Sequence, residues 1–487
     1  MVGSIAAPRL AALAAGFDRS PAYAGLADEL MLLIGDGRIG LDLRLPSERD
    51  LSVALEVSRT TVTRAYAGLV ESGFAEARQG SGTYTRLPGG RRRGLDRTLT
   101  PSTTGEDVID LNCAAPSALS GIGTAYAEAV QDLPRYLGGH GYFPTGVPAL
   151  QEAVAASYDA RGLPTDPGQI MVVPGSLSAL TVVAQGLVGR GERVLVETPG
   201  YPNAHEALRR AGARRVGLPM DVDGWDLDAL GRLLREARPQ LAYLIPDFQN
   251  PTGNLMSNAE REQLAVLLRR AGTTPVVDES HQPLALDGRP MPRPFAAFAP
   301  ETVTLGSTSK SFWGGLRIGW VRCPDGVLER LMDARVALDL GSPVLEQLVA
   351  ARLLLRRDEL WAEQRRRLRE QRDALADALR TELAEWRFRP PRGGLSLWCE
   401  LPVTRTPGSG ATALVMEAER RGVVVSPGSV FAVDGGLDSF VRVPFTRPAD
   451  ELRTAVARLA EAWSTVSARS STGTPRGGTP RTRVMVA

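Results

Sequence analysis

Between residues 110 and 464, short apolar runs alternate with stretches of helical periodicity. Residues 170–173, 194–196, 241–245, 275–277, 303–305 and 318–321 are nearly unbroken aliphatic runs, the pattern of strands buried on both faces. Between them, 176–188, 202–211, 227–237 and 258–271 space their apolar side chains three and four apart and so predict helices. Regular alternation of this kind predicts a mostly parallel sheet with helices on both faces. From 345 to 385 the periodicity, interrupted by arginine-rich turns, predicts a long helix leading into a smaller C-terminal α+β lobe.

Residues 21–86 have a different texture, and residues 1–20 read as an extension before them. Tyr23, Leu26, Leu30 and Ile34 predict a first helix. Ser47 is placed to cap a second, on which Leu51, Val53 and Leu55 follow. A third helix begins near Ser58, with Val62, Ala65, Tyr66 and Leu69 turned inward and hydroxyls and arginines crowding its start. Gly80-Ser81-Gly82-Thr83-Tyr84 predicts a tight hairpin tip. Two segments rich in Gly, Pro, Ser and Thr close off the chain's units: 87–107 reads as a flexible linker and 467–487 as a disordered tail. The large body then spans 108–466.

Composition narrows the picture modestly. With 487 residues, 43% hydrophobic and 23% charged, the chain is long enough for two or three cores. A net charge of +2 gives no global attraction to nucleic acid or membrane, so any such contact must come from placement. Cys113, Cys323 and Cys399 are odd in number and scattered, which argues against disulfides or zinc and assigns them to the core of a cytoplasmic protein. No signal peptide or spanning helix is legible, and no metal site is expected.

One count changes the picture more. The 57 basic residues include a single lysine, Lys310. Where charge alone suffices this chain uses arginine, so Lys310 is expected to do what a guanidinium cannot: lose its proton and condense with a carbonyl as a Schiff base. Pyridoxal phosphate asks four things of a protein, namely an amine, an acid at its pyridine nitrogen, an anion cradle and a wall to stack on. Gly175, Ser176 and Leu177 join a strand to a helix start, where free N–H groups favour phosphate. Tyr201 could stack on the ring or serve as a core tyrosine. Asn250 of Asn250-Pro251-Thr252-Gly253 can donate to the phenolic oxygen, and Asp278 ends a strand where it can pair with the pyridine nitrogen. Ser307, Ser309 and Arg317 flank Lys310 and can close around phosphate.

The strings LPSER, VSRTTVTRAY and GSGTY, in that order and spacing, resemble the winged helix-turn-helix of the GntR regulators over residues 21–86. Carried over by position, the resemblance implies DNA contacts at Arg49, Ser58, Arg59, Thr60, Thr61, Thr63, Gly80 and Gly82. NPTG at 250–253, and STSK followed by Arg317, resemble the fold type I aminotransferases, whose cofactor is pyridoxal phosphate. Head, linker and body together resemble the MocR-type subfamily of GntR regulators across nearly the whole chain. That resemblance implies a homodimer in which Tyr142 reaches the partner's phosphate, and an amine or amino-acid effector whose carboxylate Arg442 holds.

One position departs from the pattern. The family's usual tyrosine, two or three residues after the pyridine-binding aspartate, is replaced in Asp278-Glu279-Ser280-His281, where Ser280 or His281 stands in. Losing that phenol weighs against efficient transamination more than against cofactor binding. Two functions stay open: a regulator that binds operator DNA and senses pyridoxal phosphate or an amine, and an active aminotransferase with a vestigial or autoregulatory head.

Overall fold

A computed structural model describes residues 4–35, 39–40, 43–78, 81–86, 108–221, 223–324, 326–402 and 410–472. The linker expected at 87–107 and the glycine at position 80 lie outside the described residues, as does the end of the expected tail, 473–487.

The head is built from α1 (Ala7–Leu13), α2 (Ala22–Gly35), α3 (Glu48–Leu55), α4 (Arg59–Glu71) and a hairpin of β1 (Ala75–Arg78) with β2 (Gly82–Thr85). Hydroxyl caps start both central helices: Ser47 Oγ accepts from Asp50 N on α3, and Ser58 Oγ accepts from Thr61 N on α4. Leu26, Leu30, Leu51, Leu55, Val62 and Leu69 fill the core. Residues 1–20 are not a mere extension. Leu10, Ala14 and Phe17 recur at helical spacing and are buried in that same core, and Ser4 bridges to Arg44, itself bridged to Tyr84. Of the three apolar residues that follow Ser47, Leu51 and Leu55 are buried, whereas Val53 falls on the opposite side of α3 and is 73% exposed. Gly82 is the first residue of β2, placed beyond the hairpin tip, with φ +104.

The body opens with β3 (Ile109–Asp110), α5 (Ile122–Asp132) and α6 (Pro148–Asp159). Its centre is a seven-stranded sheet of β4 (Ile170–Val173), β5 (Arg193–Thr198), β6 (Arg214–Pro219), β7 (Leu241–Leu244), β8 (Thr274–Asp278), β9 (Val303–Ser307) and β10 (Gly319–Arg322). The strand order is β4-β10-β9-β8-β7-β5-β6. Strands β5 to β9 run parallel, and β10 is antiparallel to both β9 and β4. The reversal at β10 follows from the short Lys310–Arg317 connection, too brief for a crossover helix. Strand β6 was not anticipated; three of its six residues are half-buried and two are exposed, as suits an edge.

Helices α7 (Ser176–Leu187) and α8 (Pro202–Arg210) pack on one face with α11 (Leu328–Val336), and α9 (Leu227–Ala237) and α10 (Asn258–Ala271) cover the other. The single long helix expected over 345–385 is two, α12 (Val344–Leu355) and α13 (Arg357–Glu382), parted at Arg356. Different partners explain the break: α12 is buried against α5 and α6, whereas α13 packs with the C-terminal lobe. That lobe comprises β11 (Ser396–Glu400), α14 (Ala411–Arg420), β12 (Val423–Val424), β13 (Ser426–Pro427), β14 (Phe440–Pro444) and α15 (Ala449–Thr472). Helix α15 runs past residue 466, where the body was expected to end. Ser467 bonds back to the Trp463 carbonyl at 2.8 Å, so the compositional change there does not stop the helix. Among the described residues no helix is long and apolar enough to cross a membrane.

Candidate cofactor site

Five strand ends deliver the site. Ser176 follows β4, Tyr201 follows β5, Asn250 lies in the loop after β7, Asp278 ends β8, and Lys310 follows β9. All five are carboxyl ends of strands that point the same way, where loops diverge and leave a crevice. There Ser176, Tyr201, Asn250, Asp278, His281 and Lys310 line a small cleft partly open to solvent, together with Ile245 and Ser280.

Four of the polar members are held by hydrogen bonds. Lys310 Nζ donates to the Ala114 carbonyl at 3.0 Å, and burial, aided by the charge of Arg442, pushes its ammonium down to about 8. Asp278 accepts from the Tyr243 hydroxyl at 2.9 Å on one oxygen and from the Ser280 amide at 2.9 Å on the other. Tyr201 takes a bond from Asn203 at 3.2 Å, and burial raises its phenol. His281 Nδ1 lies 2.9 Å from the Phe248 carbonyl.

Beside the cleft, the turn into α7 and the Lys310–Arg317 loop make a cradle. Arg317, with φ +51, reaches across to the Pro174 carbonyl at 2.7 Å and to Ser309 Oγ at 3.4 Å. Ser309 N is in turn bonded to Ser307 Oγ at 3.1 Å. At Gly175 an added Cβ would sit 2.8 Å from the Arg317 guanidinium, so only glycine leaves this approach open. Leu177 follows in the first turn of α7 and is half-buried.

Arg442 lies on β14, fully buried, bonded to the Asn112 carbonyl and to Asn250 Oδ1 at 3.3 Å. It has neutral partners only and its Nε has none, and burial pushes it down to about 10. A guanidinium this deep without a counter-ion favours an anionic guest. Cys113, expected in the core, is half-buried and close enough to Lys310 and Arg442 to act on both electrostatically. Tyr142 is not among the cleft residues; it is 58% exposed and stacks on His140 at 5.6 Å.

Comparisons with known proteins recognise both parts of the chain. Residues 106–459 match the family of aminotransferases class I and II. The chain belongs to that family. Its head, residues 22–85, matches the bacterial regulatory proteins of the gntR family, and the fusion of the two is the MocR-type arrangement. Over its length this MocR-type chain is 30% identical to the uncharacterized HTH-type transcriptional regulator YisV of Bacillus subtilis, covering 88% of this chain and 93% of the relative. It is 30% identical to the probable rhizopine catabolism regulatory protein MocR of Rhizobium meliloti, over 62% of this chain and 66% of that one. The body is also similar to a solved α-aminoadipate aminotransferase of Thermus thermophilus, complexed with N-(5'-phosphopyridoxyl)-L-leucine. That likeness has TM-score 0.68 and 30% identity, covering 74% of this chain and 94% of that one.

In the head, Arg49, Arg59, Thr60 and Thr63 are exposed on and before the start of α4. Ser58 and Thr61 are partly committed to capping, their hydroxyls 2.8 Å apart. Tyr66 pins α4 to the Pro46 carbonyl at 3.0 Å. Sequence reasoning missed three supports of the cleft: Tyr243 behind Asp278, apolar Ile245, and the Glu197–Gln249 pair at 3.1 Å that joins the loops bearing Tyr201 and Asn250. Only Ile245 had a local signal, as the last apolar residue before a loop at a strand's carboxyl end.

Proposed function

We propose that this chain is a cytoplasmic, homodimeric transcription regulator that reads operator DNA with its head and senses pyridoxal phosphate, or an amine reacting with it, in its body. The observation that supports this reading is a single lysine set among Asp278, Asn250, Tyr201 and His281, in a chain whose amino-terminal head exposes arginines on its central helices. The residues fit the cofactor. Gly175 keeps backbone clear beside Arg317, Ser280 Oγ is buried without a partner, and the donors and acceptors in the cleft are those a pyridine, a phenol and an aldehyde require.

On this reading Ser176, Leu177, Ser307, Ser309 and Arg317 hold the phosphate and Asn250 donates to the phenolic oxygen. Asp278 keeps the pyridine nitrogen protonated, Tyr201 backs the ring, and Lys310 offers its lowered amine to the aldehyde. When bound, the cofactor supplies an electrophilic carbon and an electron-poor ring. Arg442 orients an effector's carboxylate, Tyr142 is free to reach a partner subunit, and Arg49, Ser58, Arg59, Thr60, Thr61, Thr63, Gly80 and Gly82 meet DNA. An effector changes DNA binding only through unequal affinity for two arrangements of the chain.

Purified wild-type chain titrated with pyridoxal phosphate is expected to gain a visible absorbance band that Lys310→Ala abolishes; an identical band in both would overturn the assignment. DNA binding to the region upstream of its own gene, with and without the cofactor, tests the regulatory half. A second reading, an active aminotransferase, is favoured by 33% identity to a 2-aminoadipate transaminase of Thermus thermophilus over 62% of this chain. Turnover of amino donors with keto acids at ordinary enzymatic rates would establish it.

A further inference from the structure

The residue at the end of the Asp278-Glu279-Ser280-His281 string faces the cleft with a defined polarity. His281 is buried, and its Nδ1 lies 2.9 Å from the Phe248 carbonyl oxygen. A carbonyl only accepts, so this contact requires a hydrogen on Nδ1. In the neutral ring Nε2 then carries a lone pair and no hydrogen. The carbonyl that dictates this is itself held in an unusual place. Phe248 has φ +53, a left-handed conformation rare for a bulky residue, and its ring is packed so tightly that a Cβ at Gly393 would come within 2.4 Å of it.

The groups around His281 work against its becoming a cation. Lys310 from the loop after β9 and Arg442 from β14 both disfavour a charge on the ring, after burial itself; Asp278 of β8 and the Phe248 carbonyl pull the other way. The imidazole is therefore kept neutral, well below its ordinary pKa, at about 4.

We propose that His281 is locked as the Nδ1–H tautomer and presents Nε2 to the Lys310 cleft as a hydrogen-bond acceptor, at the place where the resembling family has a phenol donor. This rests on the cofactor reading for its consequence, but not for the tautomer itself. A phenol there would steady negative charge on the cofactor's phenolic oxygen and so lower the proton affinity of the nitrogen joined to Lys310. An acceptor does the reverse. It offers that oxygen no hydrogen and favours any N–H in the cleft, so the Lys310 nitrogen keeps its proton to higher pH. The site then suits holding a cationic amine more than passing protons along.

Two measurements test the proposal. The chain has three histidines, His140, His205 and His281. Nitrogen-15 spectra of the histidine-labelled full chain without cofactor, assigned by single His→Gln variants, are expected to show His281 neutral at pH 7 with a protonated Nδ1 and a bare Nε2. His140 provides an internal contrast, since its Nδ1 accepts from the Tyr142 amide at 3.0 Å and so carries its hydrogen on Nε2. An Nε2–H or doubly protonated His281 would overturn the proposal. Second, with added pyridoxal phosphate, His281→Tyr is expected to lower the pH midpoint of the visible absorbance change by about one unit. An unmoved midpoint would overturn the acceptor role. If the wild type takes up no visible band, the cofactor reading fails, and the tautomer spectrum alone then decides this proposal.

Discussion

Lys310, His281, His205 and Arg442 all have their proton affinity reduced, and in each case burial is the largest cause. For the two histidines this has a consequence for stability. Both fall from 6.5 to about 4, so between those values the unfolded chain binds more protons than the folded one. Their contribution is full above pH 6.5 and is lost as pH falls toward 4. Glu197 acts with the opposite sign. Burial outweighs its three N–H donors and raises it from 4.5 to about 7, so its contribution is present below 4.5 and is lost as pH rises through 7. Between 4.5 and 6.5 two histidines oppose one carboxyl, so together these three groups favour a rise in stability with pH. Denaturant unfolding of His205→Leu at several pH values in that window should give a nearly flat profile instead. At this scale Lys310 was legible from count alone, because a lone lysine among arginines is a chemical statement. Tyr243 and the Glu197–Gln249 pair were not, because their partners are 35 and 52 residues away in the chain.

Helix starts and loop anchors belong to the element scale. Ser58 caps α4 by accepting from Thr61 N at 3.0 Å, so Ser58→Ala is expected to destabilise the head by about 1 kcal/mol, read as a lower head melting temperature. The loop carrying Asn250 is fastened from α10: Arg261, fully buried, donates to Asp247 at 2.6 Å, to the Met256 carbonyl at 3.0 Å and to the Arg293 carbonyl at 3.0 Å. Replacing it by leucine strands a buried carboxylate, and Arg261→Leu should cost about 3–5 kcal/mol in unfolding by denaturant and weaken cofactor uptake with it. Periodicity located α9 and α10 to the residue, since both are amphipathic and carry strong stops: Arg238 and Gly272 in left-handed conformations. It failed at Arg356, where α12 and α13 share one continuous pattern and only their different packing partners separate them.

At the scale of the whole molecule, the head core draws only on residues 5–75 and the body cores only on residues from 109 onward. The two functions should therefore come apart by mutation. Arg59→Ala, exposed at the start of α4, is expected to weaken binding of the full chain to duplex DNA and to reduce the salt slope of binding by about one. The visible absorbance on adding pyridoxal phosphate should be unchanged. Residues 7–17 were misjudged because an alanine-rich stretch has weak contrast between its faces, and only the presence of α3 to pack on turns Leu10, Ala14 and Phe17 into core. By itself the chain's sequence determined what depends on near neighbours: the alternation of strands and helices, their caps, the hydroxyl-rich start of α4 and the chemical singularity of Lys310. Tertiary structure alone decided what depends on distance in space. It reversed β10, put Cys113 beside Lys310 and Arg442, buried Arg442 without a counter-ion, and set His281 at the cleft with Nδ1 against the Phe248 carbonyl. The reason is physical: periodicity and capping act within a few residues, whereas desolvation and hydrogen-bond polarity are set by whichever distant segments the fold packs around a group.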